Sequence, residues 1–271
     1  MKYLGGKQRL GKYIAPFLYE MYVKAREKGV IANGYMEPFC GSLGVLKNIA
    51  TMPLVENIVA NDYHPDLIQM WKEVRDGTFV YPYEVSEDGY KTAKQLPSPS
   101  AMKAFVGFGM SFGGRFFGAY AQKYVNGKNE DFCKEMVHSL QRISKCIQNV
   151  EFTNKDYQDC CPENCFVYCD PPYKQTKFPI KYRRDVKKYD VFDNDVFWDT
   201  IRKWSANNVV IVSEITAPDD FVEVWSLDRY RSACQSAKTR FQNESVTHQR
   251  EKLFVYKNAR DVSLFVQEKG N

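Results

Sequence analysis

The chain has 271 residues, enough for one large core or for one core with an inserted lobe. Hydrophobic residues at 44% and charged residues at 26% are ordinary for a globular protein, and no apolar run approaches the roughly 20 residues of a membrane span. The net charge of +5 argues only weakly for an acidic partner, and the first residues lack the apolar core of a signal peptide, so a cytoplasmic protein is expected.

In chain order, Tyr35 to Phe39 reads as a strand running into the glycine turn Gly41-Ser42-Leu43-Gly44, with a helical stretch from Val45 to Ala50. Asn57 to Asp62 is a second strand that ends on an acid, and Leu67, Ile68, Met70, Trp71 and Val74 give the next helix an apolar stripe. Strand, glycine turn, helix and strand, with an acid about 20 residues beyond the glycines, is the arrangement that holds an adenosine-containing cofactor. A nicotinamide fingerprint needs Gly-x-Gly-x-x-Gly, and here only Gly41-x-x-Gly44 is present.

Regular patterning stops between Gly77 and Lys128, where Pro82, Pro97-Ser98-Pro99 and a run of glycines and aromatics around Phe105 to Phe117 suggest an inserted lobe. The expected division is a main domain from 1–76 and 129–271 with a lobe at 77–128. Helical periodicity returns at Phe132, Met136, Leu140, Ile143 and Ile147. Further strands are expected at Val150 to Thr153, Phe166 to Cys169, Val209 to Val212 and Leu253 to Tyr256. Alternating strands and helices predict an α/β fold with a mostly parallel sheet flanked by helices.

Cys169-Asp170-Pro171-Pro172-Tyr173 follows the apolar run Phe166-Val167-Tyr168, so Asp170 stands where a buried strand ends. Ligands of open α/β sheets gather at that end of the strands. Asp170 offers a carboxylate acceptor, Pro171 a carbonyl restricted by the proline after it, and Tyr173 an aromatic face. Two acceptors and a stacking surface suit a planar base with an exocyclic amino group, adenine or cytosine. Immediately afterwards, Lys174 to Lys188 carries seven basic residues against one acid, a local charge of +6, with Phe178 and Tyr182 interleaved. Beside a base pocket, Lys181, Arg183, Arg184, Lys187 and Lys188 read as a phosphate-contacting loop.

The cysteines should be reduced thiols in this compartment. Cys161, Cys165 and Cys169 have a metal-like spacing, but a strand over 165–169 would separate its end α-carbons by roughly 13 Å at about 3.3 Å per residue. Two ligands of one zinc cannot be so far apart, so no metal is expected. Three histidines also give little support to a nucleophilic triad.

Together these motifs resemble the Dam-like family of N6-adenine DNA methyltransferases, over nearly the whole chain and in the same order. Tyr3-Leu4-Gly5-Gly6-Lys7 is similar to that family's N-terminal motif, beside the methionine part of S-adenosylmethionine. Glu37-Pro38-Phe39-Cys40-Gly41 resembles its glycine-loop motif, and Asn61-Asp62 the acid that holds the ribose hydroxyls. Asn154-Lys155-Asp156-Tyr157 is similar to the segment against the cofactor adenine, and Asp170 to Tyr173 matches the catalytic motif. One departure is that Leu43 stands at the second glycine position of the usual Phe-x-Gly-x-Gly loop, with Gly44 after it.

The resemblance implies a Rossmann-like, S-adenosylmethionine-dependent methyltransferase sheet with an inserted target-recognition lobe, acting on double-stranded DNA in a bacterial or phage-infected bacterial cytoplasm. It implies catalysis by Asp170, Pro171, Pro172 and Tyr173 on a flipped base. Cofactor contacts would come from Tyr3, Lys7, Glu37, Phe39, Gly41, Asp62, Asp156 and Asp170. Arg115, in the lobe, is a candidate for a guanine contact. By residue type alone Glu37 also suits a helix cap, Asp62 a turn, Asp156 the surface, and Phe39, Tyr35 and Tyr168 the core. An N4-cytosine methyltransferase and a catalytically idle DNA-binding relative remain alternatives at this stage.

Overall fold

The computed structural model describes residues 1–31, 33–121, 124–125, 128–129, 131–172, 192–230, 248–260 and 262–265. Its centre is set by strands too apolar to face water on either side. β1 (Tyr35–Glu37), β6 (Phe166–Cys169) and β7 (Val209–Glu214) are buried along their whole length, as parallel strands covered on both faces must be. The other strands are β2 (Ile58–Asn61), β3 (Tyr124–Val125), β4 (Lys128–Asn129), β5 (Val150–Thr153), β8 (Phe221–Tyr230) and β9 (His248–Tyr256). Seven of them form one sheet in the order β5-β2-β1-β6-β7-β9-β8, and β3 pairs only with β4.

From β1 the chain moves outward to β2 and β5, then returns to lay β6 and β7 on β1's other side; all four pairings are parallel. β9 runs antiparallel between β7 and β8. The order therefore reverses between β1 and β6. In open α/β sheets ligands bind at such a reversal, in the crevice outside the carboxyl ends of the strands. Glu37 ends β1 and Asp170 follows β6, so the two acids flank that point.

Helices α1 (Gly11–Glu27), α2 (Leu46–Ile49), α3 (Pro65–Asp76), α4 (Glu87–Ala93), α5 (Ala101–Gly109), α6 (Phe132–Ser144) and α7 (Asn194–Trp204) complete the described structure with short 3-10 turns. α1 buries Ile14, Leu18, Met21, Tyr22 and Ala25, a spacing that puts them on one face. Two capped helices occupy the stretch where the sequence shows no regular patterning. Ser86 caps α4 and Ser100 caps α5, each hydroxyl accepting an N–H three residues on. α5 packs on α3, and its Ala104, Phe105 and Phe108 lie in the same hydrophobic core as Tyr35 and Ile58. No described strand of the 77–128 segment joins the large sheet. Among the described residues no helix is long and apolar enough to cross a membrane.

Candidate active site

The N-terminal motif is drawn over the crevice by close backbone packing. Gly5 has a left-handed φ of 81°, and Gly6 N–H donates to the Tyr3 carbonyl at 3.1 Å, which curls the chain back. The Lys7 carbonyl then accepts from Leu10 and Gly11 at the start of α1. A Cβ at Gly44 would lie 2.7 Å from the Lys7 carbonyl carbon, so Gly44 is what lets the glycine turn and the N-terminal motif touch. The turn also needs left-handed backbone at Gly41 (φ 46°) and at Leu43 (φ 57°). Leu43 thus keeps a conformation that glycine adopts at little cost, and its side chain is fully buried in the core.

This packing delivers the Lys7 ammonium beneath the end of β6. Nζ donates to Asp170 Oδ1 at 2.8 Å and lies 3.2 Å from Glu251 Oε1 on β9. The Lys7 and Glu251 side chains are only 3% and 2% exposed, whereas that of Asp170 is 19% exposed and reaches the crevice. Ser213 on β7 donates its hydroxyl to the same Glu251 oxygen at 2.6 Å. Glu37 is buried and accepts a 2.8 Å hydrogen bond from the Tyr35 hydroxyl. Burial pushes its carboxyl well above the usual range; the tyrosine bond opposes this and the neighbouring Asp170 charge adds to it. Tyr168 is likewise held un-ionised, by burial first and by the Asp170 charge next.

On the other side of β1, Asp62 follows the end of β2. Its Oδ2 accepts Gly41 N–H at 3.0 Å and its Oδ1 accepts His64 N–H at 2.9 Å. Desolvation nevertheless raises its carboxyl to about 6, with those two bonds pulling the other way. Asn61 is fully buried and ties three strand ends together. Its amide donates to the Pro38 and Lys155 carbonyls, both at 3.1 Å, and its oxygen accepts from the Thr153 hydroxyl and Lys155 N–H. Asn154 Nδ2 donates to the Asp62 carbonyl at 2.8 Å, so the loop after β5 is fixed to the loop after β2. Asp156 caps the short turn Tyr157–Asp159 by accepting Gln158 N–H at 2.9 Å. Phe39 packs 5.1 Å from the Tyr157 ring and 5.8 Å from Phe197, in a satellite aromatic cluster.

The structure therefore gathers Tyr3, Lys7, Glu37, Gly41, Asp62 and Asp170 around the carboxyl ends of β1, β2 and β6. Tyr3 lays its ring over Gly41, 3.3 Å from where a Cβ would stand. Pro171 is buried and Pro172 half-buried directly after Asp170. Arg115 is exposed on the loop after the turn Phe112–Gly114. That loop meets the N-terminal motif, since Leu4 N–H donates to the Gly114 carbonyl at 3.3 Å. Tyr173, Lys181, Arg183, Arg184, Lys187 and Lys188 lie outside the described residues. Glu251 and Ser213 belong to the same constellation and carry no role in the sequence reading, where Asn61 enters only as the partner of Asp62 in their motif. Asn61 was within reach, being the neighbour of Asp62; Glu251 sits in the polar run His248-Gln249-Arg250-Glu251-Lys252, where nothing marks it out. Among the described residues no group of three or more histidine, cysteine or acidic side chains is placed to hold a metal ion.

A seven-stranded mixed sheet flanked by helices, with acids at its point of reversal, is consistent with a Rossmann-like methyltransferase fold. Residues 3–99 match the family model of D12 class N6 adenine-specific DNA methyltransferases. Over those residues the chain is similar to that family of enzymes. The matched stretch contains the N-terminal motif, the glycine turn and Asp62, and it ends before Asp170. No curated protein matches the chain.

Proposed function

We propose that the protein transfers a methyl group from S-adenosylmethionine to N6 of an adenine flipped out of duplex DNA, within a short specific sequence. The observation that carries this reading is the Lys7–Asp170 contact at the point of sheet reversal. It ties the family's N-terminal motif to an acceptor carboxylate that reaches the crevice.

The residues present fit the cofactor. Asp62 keeps lone pairs beyond its two backbone bonds for ribose hydroxyls, Asp156 and the loop around it border the adenine side, and the Tyr3–Gly41 contact walls the methionine side, with Glu37 beneath it. When bound, the cofactor supplies an electrophilic methyl group on a sulfonium. This chain's residues do the rest. Adenine N6 is a poor nucleophile because its lone pair is shared with the ring, and in duplex DNA it is also paired, so flipping costs a few kcal/mol. Asp170 and the Pro171 carbonyl accept the two N6 hydrogens, which concentrates the lone pair on nitrogen, and Tyr173 stacks on the base. N6 would take up the methyl group as its bond to the sulfonium sulfur breaks, that sulfur leaving as a neutral thioether, and one N6 proton would pass toward the Asp170 carboxylate. Positioning and local charge supply most of the rate. Arg115 reads a base edge from the 77–128 lobe, and Lys181, Arg183, Arg184, Lys187 and Lys188 hold phosphates.

Incubation with tritiated cofactor and DNA, followed by mass spectrometry of the nucleosides, should give N6-methyladenine. Methylcytosine without methyladenine would overturn the assignment. Asp170→Ala should abolish transfer while leaving a folded protein that binds DNA; a rate within tenfold of wild type would remove Asp170 from the mechanism.

A further inference from the structure

Glu251 is a buried carboxylate that the reading above does not use. It lies near the start of β9, and its Oε1 stands 3.2 Å from Lys7 Nζ while Asp170 Oδ1 stands at 2.8 Å. The strands explain the meeting. Cys169 on β6 is level with Val212 on β7, so the next residues, Asp170 and Ser213, lie side by side. β9 flanks β7 on its other side, with Leu253 opposite Ser213, which brings Glu251 to the same end of the sheet. Asp170, Lys7, Glu251 and Ser213 thus form one hydrogen-bonded chain across three strand ends and the N-terminal motif.

We infer that Glu251 is a positioning residue for methyl transfer, fixing Lys7 and through it the orientation and charge of Asp170; this rests on the reading of Asp170 as the acceptor for adenine N6. A lysine ammonium is a compact point charge on a flexible stem, with three donors to fill. One partner at the rim of a crevice leaves that stem free to choose among rotamers. A second, fully buried carboxylate, itself held by the Ser213 hydroxyl, fixes the ammonium at one place. The charge matters as well. Lys7 shared between two carboxylates draws less electron density from Asp170 than Lys7 facing Asp170 alone, so Asp170 keeps its strength as a hydrogen-bond acceptor.

Glu251→Gln tests this, because glutamine retains the length and an acceptor oxygen for Ser213 while it removes the negative charge and turns the other carboxylate oxygen into an amide donor. Single-turnover transfer at saturating cofactor and DNA should fall about 10- to 100-fold, as misplacement remote from the chemistry does. KM for both substrates should stay within threefold of wild type. A Lys7→Met/Glu251→Gln double variant should be no slower than Lys7→Met, since Glu251 acts only through Lys7. Independently of activity, the Lys7 side-chain 1H–15N signal, sharp in the wild type at low temperature because a buried ion-paired ammonium exchanges slowly, should broaden in Glu251→Gln. A rate within threefold of wild type, additive losses in the double variant, or an unaltered Lys7 signal would each overturn the proposal. If Glu251→Gln fails to fold, Ser213→Ala replaces it and should lower the rate in the same direction with unchanged KM; no loss would overturn the inference. A wild type that transfers no methyl group to DNA would instead sink the function reading, and the Lys7 signal would still decide whether Glu251 holds the ammonium.

Discussion

Asp62 already accepts two backbone N–H groups, yet desolvation leaves its carboxyl titrating at about 6. Ribose hydroxyls donate better to a carboxylate than to a carboxylic acid, so cofactor binding should favour the ionised form. Affinity should therefore climb as pH rises through about 6 and level off above it, with proton release on binding below that point. Calorimetry across pH 5 to 8 checks this; Asp62→Asn should bind weakly with a flat profile, and a flat wild-type profile would free Asp62 from the ribose. Leu43 poses the opposite problem, a buried side chain on left-handed backbone. Truncation to alanine loses burial and keeps the backbone cost, whereas truncation to glycine also removes roughly 1 kcal/mol of that cost. Urea unfolding should find Leu43→Gly more stable than Leu43→Ala by about 1 kcal/mol, the reverse of the order elsewhere in a fold. The usual order at this site would mean that the turn does not hold φ positive in solution.

At the scale of the element, α3 begins with an unusual cap. His64 Nδ1 accepts Leu67 N–H at 3.3 Å, with its ring edge-on to Phe116 at 4.4 Å. Burial, aided by the Lys103 charge, lowers its pKa to about 3. The unfolded chain takes up that proton near 6.5, so below 6.5 the unfolded state binds more protons than the native one. Stability is complete above 6.5 and is lost as pH falls toward 3. The loss between pH 7 and pH 5 is about 2 kcal/mol for a single group shifted this far. Asp62 works in the opposite sense over part of this window, so the readout is the difference in urea midpoints between wild type and His64→Asn. Equal pH slopes in the two proteins would sink the idea. A histidine cap gives no sequence signal, whereas β1, β2, β6 and β7 were legible because buried parallel strands read as short apolar runs. α1 was harder, since Pro16 interrupts its stripe and proline ordinarily marks a stop. β8 and α7 went unread: β8 pairs on one side with β9 alone, and α7 is short, with Phe197, Trp198 and Ile201 as its buried residues. Glu37, Asp62 and Asp170 stood out in the sequence because each ends or directly follows a strand. The Lys7–Asp170–Glu251 cluster was not, because its first link joins residues 163 apart, brought together by the packing of the glycine turn on the N-terminal motif as well as by the sheet order.

For the molecule as a whole, contacts with DNA divide into those that hold and those that read. Replacing Arg183, Arg184, Lys187 and Lys188 with alanine should weaken binding alike on target and non-target duplexes, with a shallower slope of log affinity against log salt. An unchanged slope would return that run to a plain solvated surface. Arg115 stands on a described loop. A Cβ at Gly114 would come within 2.5 Å of the Tyr3 backbone nitrogen, so only glycine lets this loop rest on the N-terminal motif. Together with the Leu4–Gly114 bond, that contact fixes the base of the loop against the same segment that carries Lys7. The backbone that carries Arg115 is thereby held against the segment that carries Lys7, as reading a base pair near a flipped adenine would require. A bidentate arginine–guanine contact discriminates by about 1–3 kcal/mol. Arg115→Ala should therefore relax sequence choice at one base position, by about 5- to 150-fold in relative rate. The salt slope should change by at most about one charge. Methylation of a duplex library randomised around the preferred site, read by sequencing, measures both the position and the size of the effect. A uniform loss at every sequence would move Arg115 into the phosphate-holding group and leave specificity to other residues of the lobe.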